Sequence, residues 1–268
     1  MSKSNEGPEG PTKLEDLGWM RVTDREVGEA LNYLDLSDDE VRALPTKSVV
    51  LELGSGLNLK LAAHFKEVRP DVTFVALDPT LGFKVASETE LSLGDDPRSG
   101  HINSTFIATP FYYDGQAELS HLSYAPSWMD KAASSNLLEE GVKLHRDRME
   151  NLPEVGALSA IVPNLPVADG SVDLILDSFG PGTWFCNHAD GSAKYFAELE
   201  RVLRAGGTAI VYPVDSRDEF FEFPPITERI EHVRERINRD LPGSLRAEFY
   251  EREDGSGVPR PGVHITKI

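Results

Sequence analysis

The stretch Val49-Val-Leu-Glu-Leu-Gly-Ser-Gly56 decides the fold, because a short apolar run that ends in glycine is typical of a buried parallel strand. Residues 57–68 carry apolar side chains at helical spacing, and residues 72–78 form a second apolar run that ends in an aspartate. Strand, glycine turn, helix and strand make a βαβ unit, whose crossover is right-handed almost without exception. This part of the chain therefore predicts a doubly wound α/β fold.

The same alternation continues on both sides of this unit. Residues 24–36 predict a helix, and Ser37 followed by three acids predicts the N-cap of a short second helix. Further strands are predicted over residues 172–177, 208–212, 246–252 and 263–268, and further helices over residues 195–204 and 225–239. The last two strands follow each other directly, which predicts a hairpin and so an antiparallel edge strand on a mostly parallel sheet.

The remaining segments predict the domain organisation. Residues 1–14 lack apolar periodicity and predict a disordered tail, while residues 15–268 predict a single domain. The alternation breaks between about residues 80 and 140, which predicts a long insertion between the second and third strands. The aromatic side chains of the insertion either form the wall of a substrate pocket or pack the insertion onto the sheet. They are Phe106, Phe111, Tyr112, Tyr113, Tyr124 and Trp128.

Composition limits the class of partner. The net charge of −18 repels phosphate backbones, which disfavours nucleic acid as a partner. No apolar run approaches the roughly 20 residues of a membrane span, so no membrane partner is predicted. Cys186 is the single cysteine and cannot form an internal disulfide, which favours a cytoplasmic protein. A single cysteine and scattered histidines predict no metal site. The sequence does not indicate an oligomeric state.

Ligands of an open α/β sheet bind beyond the carboxyl ends of its strands, near the point where the strand order reverses. The residues predicted at those ends are 52–58, Asp78, Asp147, Asp177 and Asp215. Four of the five positions are single aspartates. The sequence therefore predicts a ligand site whose polar groups are mostly carboxylates.

The glycine turn and Asp78 together indicate a cofactor that carries a ribose. The turn lets a ligand approach the main chain, and a carboxylate after the next strand can accept hydrogen bonds from both ribose hydroxyls. Proteins that bind nicotinamide dinucleotides share this pairing, but their fingerprint requires a third glycine where this chain has Leu59. Glu52 is unfavourable near a pyrophosphate and can pair with an amino group, which favours S-adenosylmethionine.

Four segments resemble class I S-adenosylmethionine-dependent methyltransferases. Residues 49–56 are similar to the first motif of that family, and Asp78 is similar to the acid of the second. Residues 165–176 resemble the loop into the fourth strand, and residues 198–207 resemble the helix and double-glycine turn before the fifth. The resemblance implies a seven-stranded Rossmann-like sheet and methyl transfer to a small molecule or a protein side chain.

The resemblance also implies a set of cofactor-binding residues. Glu52, Gly54, Ser55 and Gly56 would surround the methionine part, and Asp78 would bind the ribose. Asp147 is preferred as the acid near adenine, although a rival register puts Ile161 at that position. The full predicted set is Glu52, Gly54, Ser55, Gly56, Asn58, Asp78, Pro79, Asp147 and Arg148. Asn58 replaces a glycine that is frequent in the family.

Asp177 is the candidate catalytic residue. It ends the fourth strand and would accept the proton that a hydroxyl or ammonium acceptor loses during methyl transfer. The alternative is that its carboxylate binds the amino group of the cofactor or caps a turn. Residues 178–184 hold two glycines and a proline, which predicts a loop that folds over the ligand.

Two other functional classes remain open at this stage. Asn58 and the doubtful third motif leave room for a catalytically silent domain that binds S-adenosylmethionine. A nicotinamide-dependent oxidoreductase is disfavoured by Leu59 and Glu52.

Replacing Asp78 with alanine tests the motif assignment. The variant leaves two ribose hydroxyls without their acceptor, so the affinity for S-adenosylmethionine is expected to fall by roughly 1–3 kcal/mol. Calorimetric titration measures the change. An unchanged dissociation constant in a folded variant would contradict the assignment.

Overall fold

The computed structural model describes six helices and eleven strands. The helices are α1 (Val27–Tyr33), α2 (Asp38–Ala43), α3 (Lys60–Val68), α4 (Pro181–Asn187), α5 (Ser192–Val202) and α6 (Ile226–Asp240). The strands are β1 (Met20–Thr23), β2 (Val49–Leu53), β3 (Thr73–Leu77), β4 (Lys84–Leu93), β5 (Thr105–Tyr113), β6 (Gln116–Ala125), β7 (Ala157–Leu158), β8 (Val172–Ser178), β9 (Leu203–Tyr212), β10 (Leu245–Glu253) and β11 (Pro259–Lys267).

The structure describes residues 20–23, 27–55, 59–77, 84–93, 105–113, 116–125, 157–158, 162, 164–187, 192–215, 226–253, 257 and 259–268. The predicted tail, residues 1–14, lies outside these ranges. None of the helices in the described ranges meets the length and hydropathy that a membrane span requires.

The main sheet confirms the α/β fold class. Its strand order is β10-β11-β9-β8-β2-β3-β7, in which six strands have five or more residues and β7 has two. The pairs β7–β3, β3–β2, β2–β8 and β8–β9 are parallel. Counted from β2, these five strands run 3-2-1-4-5, which is the doubly wound order, and the order reverses between β2 and β8.

The terminal hairpin corrects one detail of the predicted sheet. The antiparallel strand is β11, and it lies between β9 and β10 rather than at the edge. The burial of the two strands explains the arrangement, because β11 has a continuous buried run and β10 alternates between buried or half-buried and exposed residues. The strand that can be covered on both faces takes the inner place, and charged side chains on β10 protect the edge.

Residues 84–125 contain strands, although the sequence shows no clear pattern there. β4, β5 and β6 join β1 in a second sheet of order β1-β5-β6-β4. β5 pairs antiparallel with β1 and with β6, whereas β4 and β6 are parallel. Five of the six aromatic residues singled out above lie on β5 and β6, and Trp128 lies outside the described residues.

The main sheet is covered on both faces. Helices α4, α5 and α6 pack on one face, where Leu51, Ile175 and Val211 point. Helices α1, α2 and α3 pack on the other, where Val50, Leu176 and Ile210 point. The alternation along β2, β8 and β9 therefore matches a strand buried on both sides.

The two short helices on the second face follow the sequence closely. Ser37 caps α2 and forms a capping box with Glu40, as its position before three acids predicts. Helix α3 begins at Lys60, three residues later than predicted, and buries Leu61, Ala62 and Phe65. Ala63 of the same helix is exposed.

Two of the family-like segments bind each other directly. Glu198 Oε1 of α5 accepts from the backbone N–H of Leu165 at 2.6 Å. Arg201 donates to the carbonyls of Leu165 and Val167, each at 2.9 Å, and pairs with Glu198. These bonds hold the loop that leads into β8 against α5.

Candidate functional site

The candidate site lies where β2, β3 and β8 end side by side. Leu53 pairs with Leu77 on one side and with Asp177 on the other. Gly54 turns away from β2 with a φ of 71°, and its N–H donates to the carbonyl of Leu77 at 2.8 Å. The chain therefore leaves three neighbouring strands at the same end of the sheet, at the point where the strand order reverses. We call this end, formed by the carboxyl ends of the parallel strands, the ligand edge.

Two glycines bring the loops after β2 and β8 into backbone contact. A Cβ on Gly54 would lie 2.9 Å from the Cα of Gly180. A Cβ on Gly180 would lie 2.5 Å from the carbonyl oxygen of Leu53 and 2.6 Å from Asp177 Oδ1. No side chain fits between these loops, so the ligand edge is lined by main chain at this point.

Asp177 is fully buried and holds the start of α4. Its Oδ2 accepts from the N–H of Gly182 at 2.8 Å and from the hydroxyl of Tyr195 at 2.7 Å. Burial raises the pKa of Asp177 from 3.8 to about 7, and the hydrogen bonds from Tyr195 and from backbone N–H groups partly oppose that rise. Burial also raises the pKa of Tyr195, so its hydroxyl stays protonated and donates.

The segment after Asp177 differs from the predicted loop. Helix α4 begins at Pro181, so only Phe179 and Gly180 separate it from β8. Proline suits the first turn of a helix because its missing N–H has no partner there anyway. The glycines that suggested a flexible loop serve close packing instead, since a Cβ on Gly182 would lie 2.5 Å from Val211 and 2.7 Å from Asp177 Oδ2.

The end of β2 presents two buried polar side chains. Glu52 and Ser55 are each 9% exposed. The hydroxyl of Ser55 has no hydrogen-bond partner among the residues that the structure describes. A buried hydroxyl without a partner is costly, so its position is suited to a polar ligand.

Helix α3 leaves its first N–H groups without a side-chain cap. Its N-cap residue is Leu59, which has a φ of 49° and makes no side-chain capping bond. The first N–H groups of a helix attract negative charge and accept ligand oxygens. Ser55 and the start of α3 thus flank residues 56–58, which lie outside the described ranges.

The other predicted cofactor residues also lie outside the described ranges. They are Gly56, Asn58, Asp78, Pro79, Asp147 and Arg148. The described partner of β3 on its outer side is β7, with Leu77 opposite Leu158. β7 begins ten residues beyond Asp147 and ends three residues before Ile161. β7 is therefore nearer in the sequence to Ile161 than to Asp147.

An aromatic cluster that the sequence did not predict lies at the same end of the sheet as Asp177. The rings of Tyr33, Phe179 and Tyr212 are in mutual contact, with centroid separations of 5.0–5.5 Å. Phe179 has a φ of 54°, which is unusual for a residue other than glycine. The cluster joins α1 to the ends of β8 and β9. No local sequence signal links these three positions.

Arg260 completes the cluster from β11. Its Nε donates to Asp215 Oδ1 at 3.0 Å, and its Nη2 donates to the backbone carbonyl of Asp215. The guanidinium lies 5.8 Å from the centroid of the Phe179 ring. Asp215 is one of the predicted strand-end carboxylates, whereas Arg260 precedes the apolar part of its strand and has no sequence signal.

The described residues contain no group of three or more histidine, cysteine, aspartate or glutamate side chains placed to hold a metal ion. Cys186 is buried, and burial raises the pKa of its thiol far above the ordinary range.

Comparison with known proteins gives similar structures only. No family model matches the chain, and no curated protein matches it. A SAM dependent methyltransferase from Aquifex aeolicus is 15% identical, with 89% of this chain and 93% of that chain covered at a TM-score of 0.42. An O-methyltransferase from Bacillus cereus in complex with SAH is 10% identical, with 91% and 83% covered at a TM-score of 0.41. Both belong to the kind of enzyme that the four motifs resemble.

A third similar structure corrects the prediction about nucleic acid. It is a 16S rRNA (adenine(1408)-N(1))-methyltransferase from Catenulisporales acidiphilia, 11% identical, with 87% of this chain and 93% of that chain covered at a TM-score of 0.42. Proteins similar to this chain thus include one named for an RNA acceptor, and the net charge of −18 does not exclude nucleic acid. Identities and TM-scores at this level establish neither the reaction nor the acceptor of this chain.

The buried carboxyl of Asp177 predicts a pH-dependent stability. Its raised pKa means that the folded state binds a proton that the unfolded state releases, so this contribution is complete below about pH 4 and is lost as the pH rises towards about 7. Asp177→Asn lacks the titration. Its free energy of unfolding, relative to the wild type, is expected to rise by roughly 1.4 kcal/mol per pH unit across that window.

Urea unfolding between pH 4.5 and 7.5 measures this difference. Asp39→Asn is the matched control, because the Asp39 side chain is 96% exposed. A slope in Asp177→Asn equal to that of the wild type would show that the buried carboxyl does not titrate in this range.

Proposed function

We propose that this chain is a methyltransferase that uses S-adenosylmethionine as its cofactor. The observation that carries the proposal is the polar end of β2 at the point where strand order reverses. There the buried Glu52 and the partnerless Ser55 hydroxyl stand beside the glycine contact between the β2 and β8 loops. The site edge combines a carboxylate, a hydroxyl and open main chain, which together suit an amino-acid moiety.

The charge at this position separates the proposed cofactor from a dinucleotide. A pyrophosphate near the Glu52 carboxylate would be repelled, whereas the ammonium group of a methionine moiety would be attracted. The place beside β9 is also taken by the antiparallel β11, whereas the classic dinucleotide order continues with a sixth strand there. Both features weigh against a nicotinamide-dependent oxidoreductase.

The rest of the cofactor would follow the ends of β3 and β7. Asp78 comes directly after Leu77, whose carbonyl accepts from Gly54 N–H, so the chain enters residue 78 beside the glycine turn. We assign ribose binding to Asp78 with Pro79 alongside it. The adenine part would lie beyond β7, where the register with Ile161 is preferred to the one with Asp147 and Arg148. Gly56 and Asn58 would complete the loop around the methionine part.

The residues of this chain would act mainly by positioning. The cofactor supplies an electrophilic methyl group, and the site must hold an acceptor atom in line with it. We propose that Asp177 is a positioning residue rather than a general base, because it is fully buried and its Oδ2 already accepts from Gly182 and Tyr195. It fixes α4 and with it the loop that contacts Gly54.

Finer features of the fold are proposals as well. We propose that the two-residue β7 marks the seventh strand of a methyltransferase-like sheet. Residues 80–140 would form an insertion that shapes acceptor entry, with β4, β5 and β6 as its frame. A cytoplasmic location is proposed from the single cysteine. The proposed acceptor classes are small molecules, protein side chains and RNA.

Calorimetric titration with S-adenosylmethionine and with its demethylated product tests the cofactor. Binding of both in the micromolar range, about −8 kcal/mol, is expected. Absence of binding by either would overturn the proposal. Consumption of the cofactor in the presence of an acceptor separates the enzyme from a catalytically silent binding domain.

Two buried serines at opposite ends of β2 give a sharper test. Ser55→Ala is expected to weaken binding of S-adenosylmethionine by roughly 0.5–1.5 kcal/mol with little loss of stability, because no described residue hydrogen-bonds its hydroxyl. Ser48→Ala is the control, since Ser48 Oγ donates to the carbonyl of Pro45 at 2.7 Å. That variant should lose stability and keep its affinity. Equal effects of the two variants on affinity would contradict the assignment.

A further inference from the structure

We infer that the acceptor side of this site binds a planar aromatic acid, with Arg260 receiving the carboxylate and Phe179 contacting the ring. The identification of this ligand as the methyl acceptor rests on the proposed function. The chemical class of the ligand is inferred from the aromatic cluster, Asp215 and Arg260.

Arg260 reaches the ligand edge because β11 is antiparallel. The first residues of β11 therefore lie beside the last residues of β9, and Val214 N–H donates to the carbonyl of Pro261 at 2.9 Å. The guanidinium thus belongs to the same edge of the sheet as Asp177 and Gly180. The terminal hairpin contributes this group to an edge otherwise formed by parallel strands.

Asp215 orients the guanidinium and leaves one nitrogen for a ligand. Nε and Nη2 of Arg260 donate to Asp215, but Nη1 has no hydrogen-bond partner among the residues that the structure describes. The side chain of Arg260 is only 8% exposed. A guanidinium held this firmly presents its remaining N–H groups in a fixed direction, and a carboxylate is the group that matches them best.

Phe179 provides the apolar surface next to Arg260. Its N–H donates to the carbonyl of Tyr212 at 2.5 Å, which fixes the residue in its left-handed conformation. The ring lies between Tyr33, Tyr212 and the Arg260 guanidinium and is partly exposed. Strained backbone in a residue other than glycine concentrates at ligand sites, because the surrounding structure must hold it there.

Charge sets the orientation of the acceptor. Glu52 is an acidic side chain at the β2 end of the edge. Arg260 is the basic side chain at the β11 end, where Asp215 accepts from two of its nitrogens. Three strand spacings separate β2 from β11, which is roughly 14 Å. An anionic acceptor would direct its carboxylate to Arg260 and its ring over Phe179, which leaves the region above β2 to the cofactor.

A matched pair of probes tests the inference: 2-naphthoate and its neutral analogue 2-naphthamide. Saturation-transfer NMR titrations on the full chain measure both dissociation constants. The wild type is expected to prefer the acid. Arg260→Met should lower the affinity for naphthoate at least tenfold and leave the affinity for naphthamide unchanged. Phe179→Leu should lower the affinity for both probes by similar factors.

Arg252→Met is the control variant. Arg252 also pairs with a carboxylate, Asp35, and lies 5.7 Å from the centroid of an aromatic ring, Tyr250. It is expected to leave the affinity for both probes unchanged. If Arg260→Met fails to fold by circular dichroism, Arg260→Lys replaces it, and its preference for the acid over the amide should fall below that of the wild type.

Two results would overturn the inference: no preference of the wild type for naphthoate, or an unaltered preference in a folded Arg260 variant. Titration of the same proteins with S-adenosylhomocysteine separates this failure from a failure of the proposed function. Cofactor binding without a role for Arg260 rejects the aromatic acid alone. An Arg260-dependent acid site without cofactor binding rejects the methyltransferase and keeps the site.

Discussion

The backbone contact between Gly54 and Gly180 is the constraint on which the rest of the site depends. A Cβ on either residue would collide with main-chain atoms of the other loop, so the ends of β2 and β8 approach more closely than side chains allow. This approach occurs where the strand order reverses, which is where an open α/β sheet forms its crevice. Asp177 supports the contact, because its carboxylate accepts from the N–H of Gly182 at the start of α4, two residues after Gly180.

Much of the main sheet could be predicted because its signals are local. Apolar runs that end in glycine or aspartate located β2, β3 and β8, and Ser37 before three acids located α2. Those patterns are read over four to eight residues and need no knowledge of partners. The inner place of β11 was missed, because it depends on which strand of the hairpin is more deeply covered.

The candidate site could be predicted only where its residues follow strands. Glu52, Gly54, Ser55 and Asp177 lie at the carboxyl ends of β2 and β8, and their roles stay predictions. The full burial of Asp177 could not be predicted, since it depends on Tyr195 and α4 rather than on the strand end itself. Phe179 and Arg260 could not be found from spacing, because 81 positions separate them and a left-handed φ at phenylalanine has no sequence signature.

The inner position of β11 has an evolutionary consequence. The glycine contact is built from the loops after β2 and β8, whereas Arg260 comes from a hairpin whose two strands are consecutive in the chain. Under the proposed function, substitutions in that hairpin would change which acceptor is recognised without altering the glycine contact. The proposed architecture thus separates the part that must be retained from the part that could diverge, since acceptors could vary through the exchange of one contiguous hairpin.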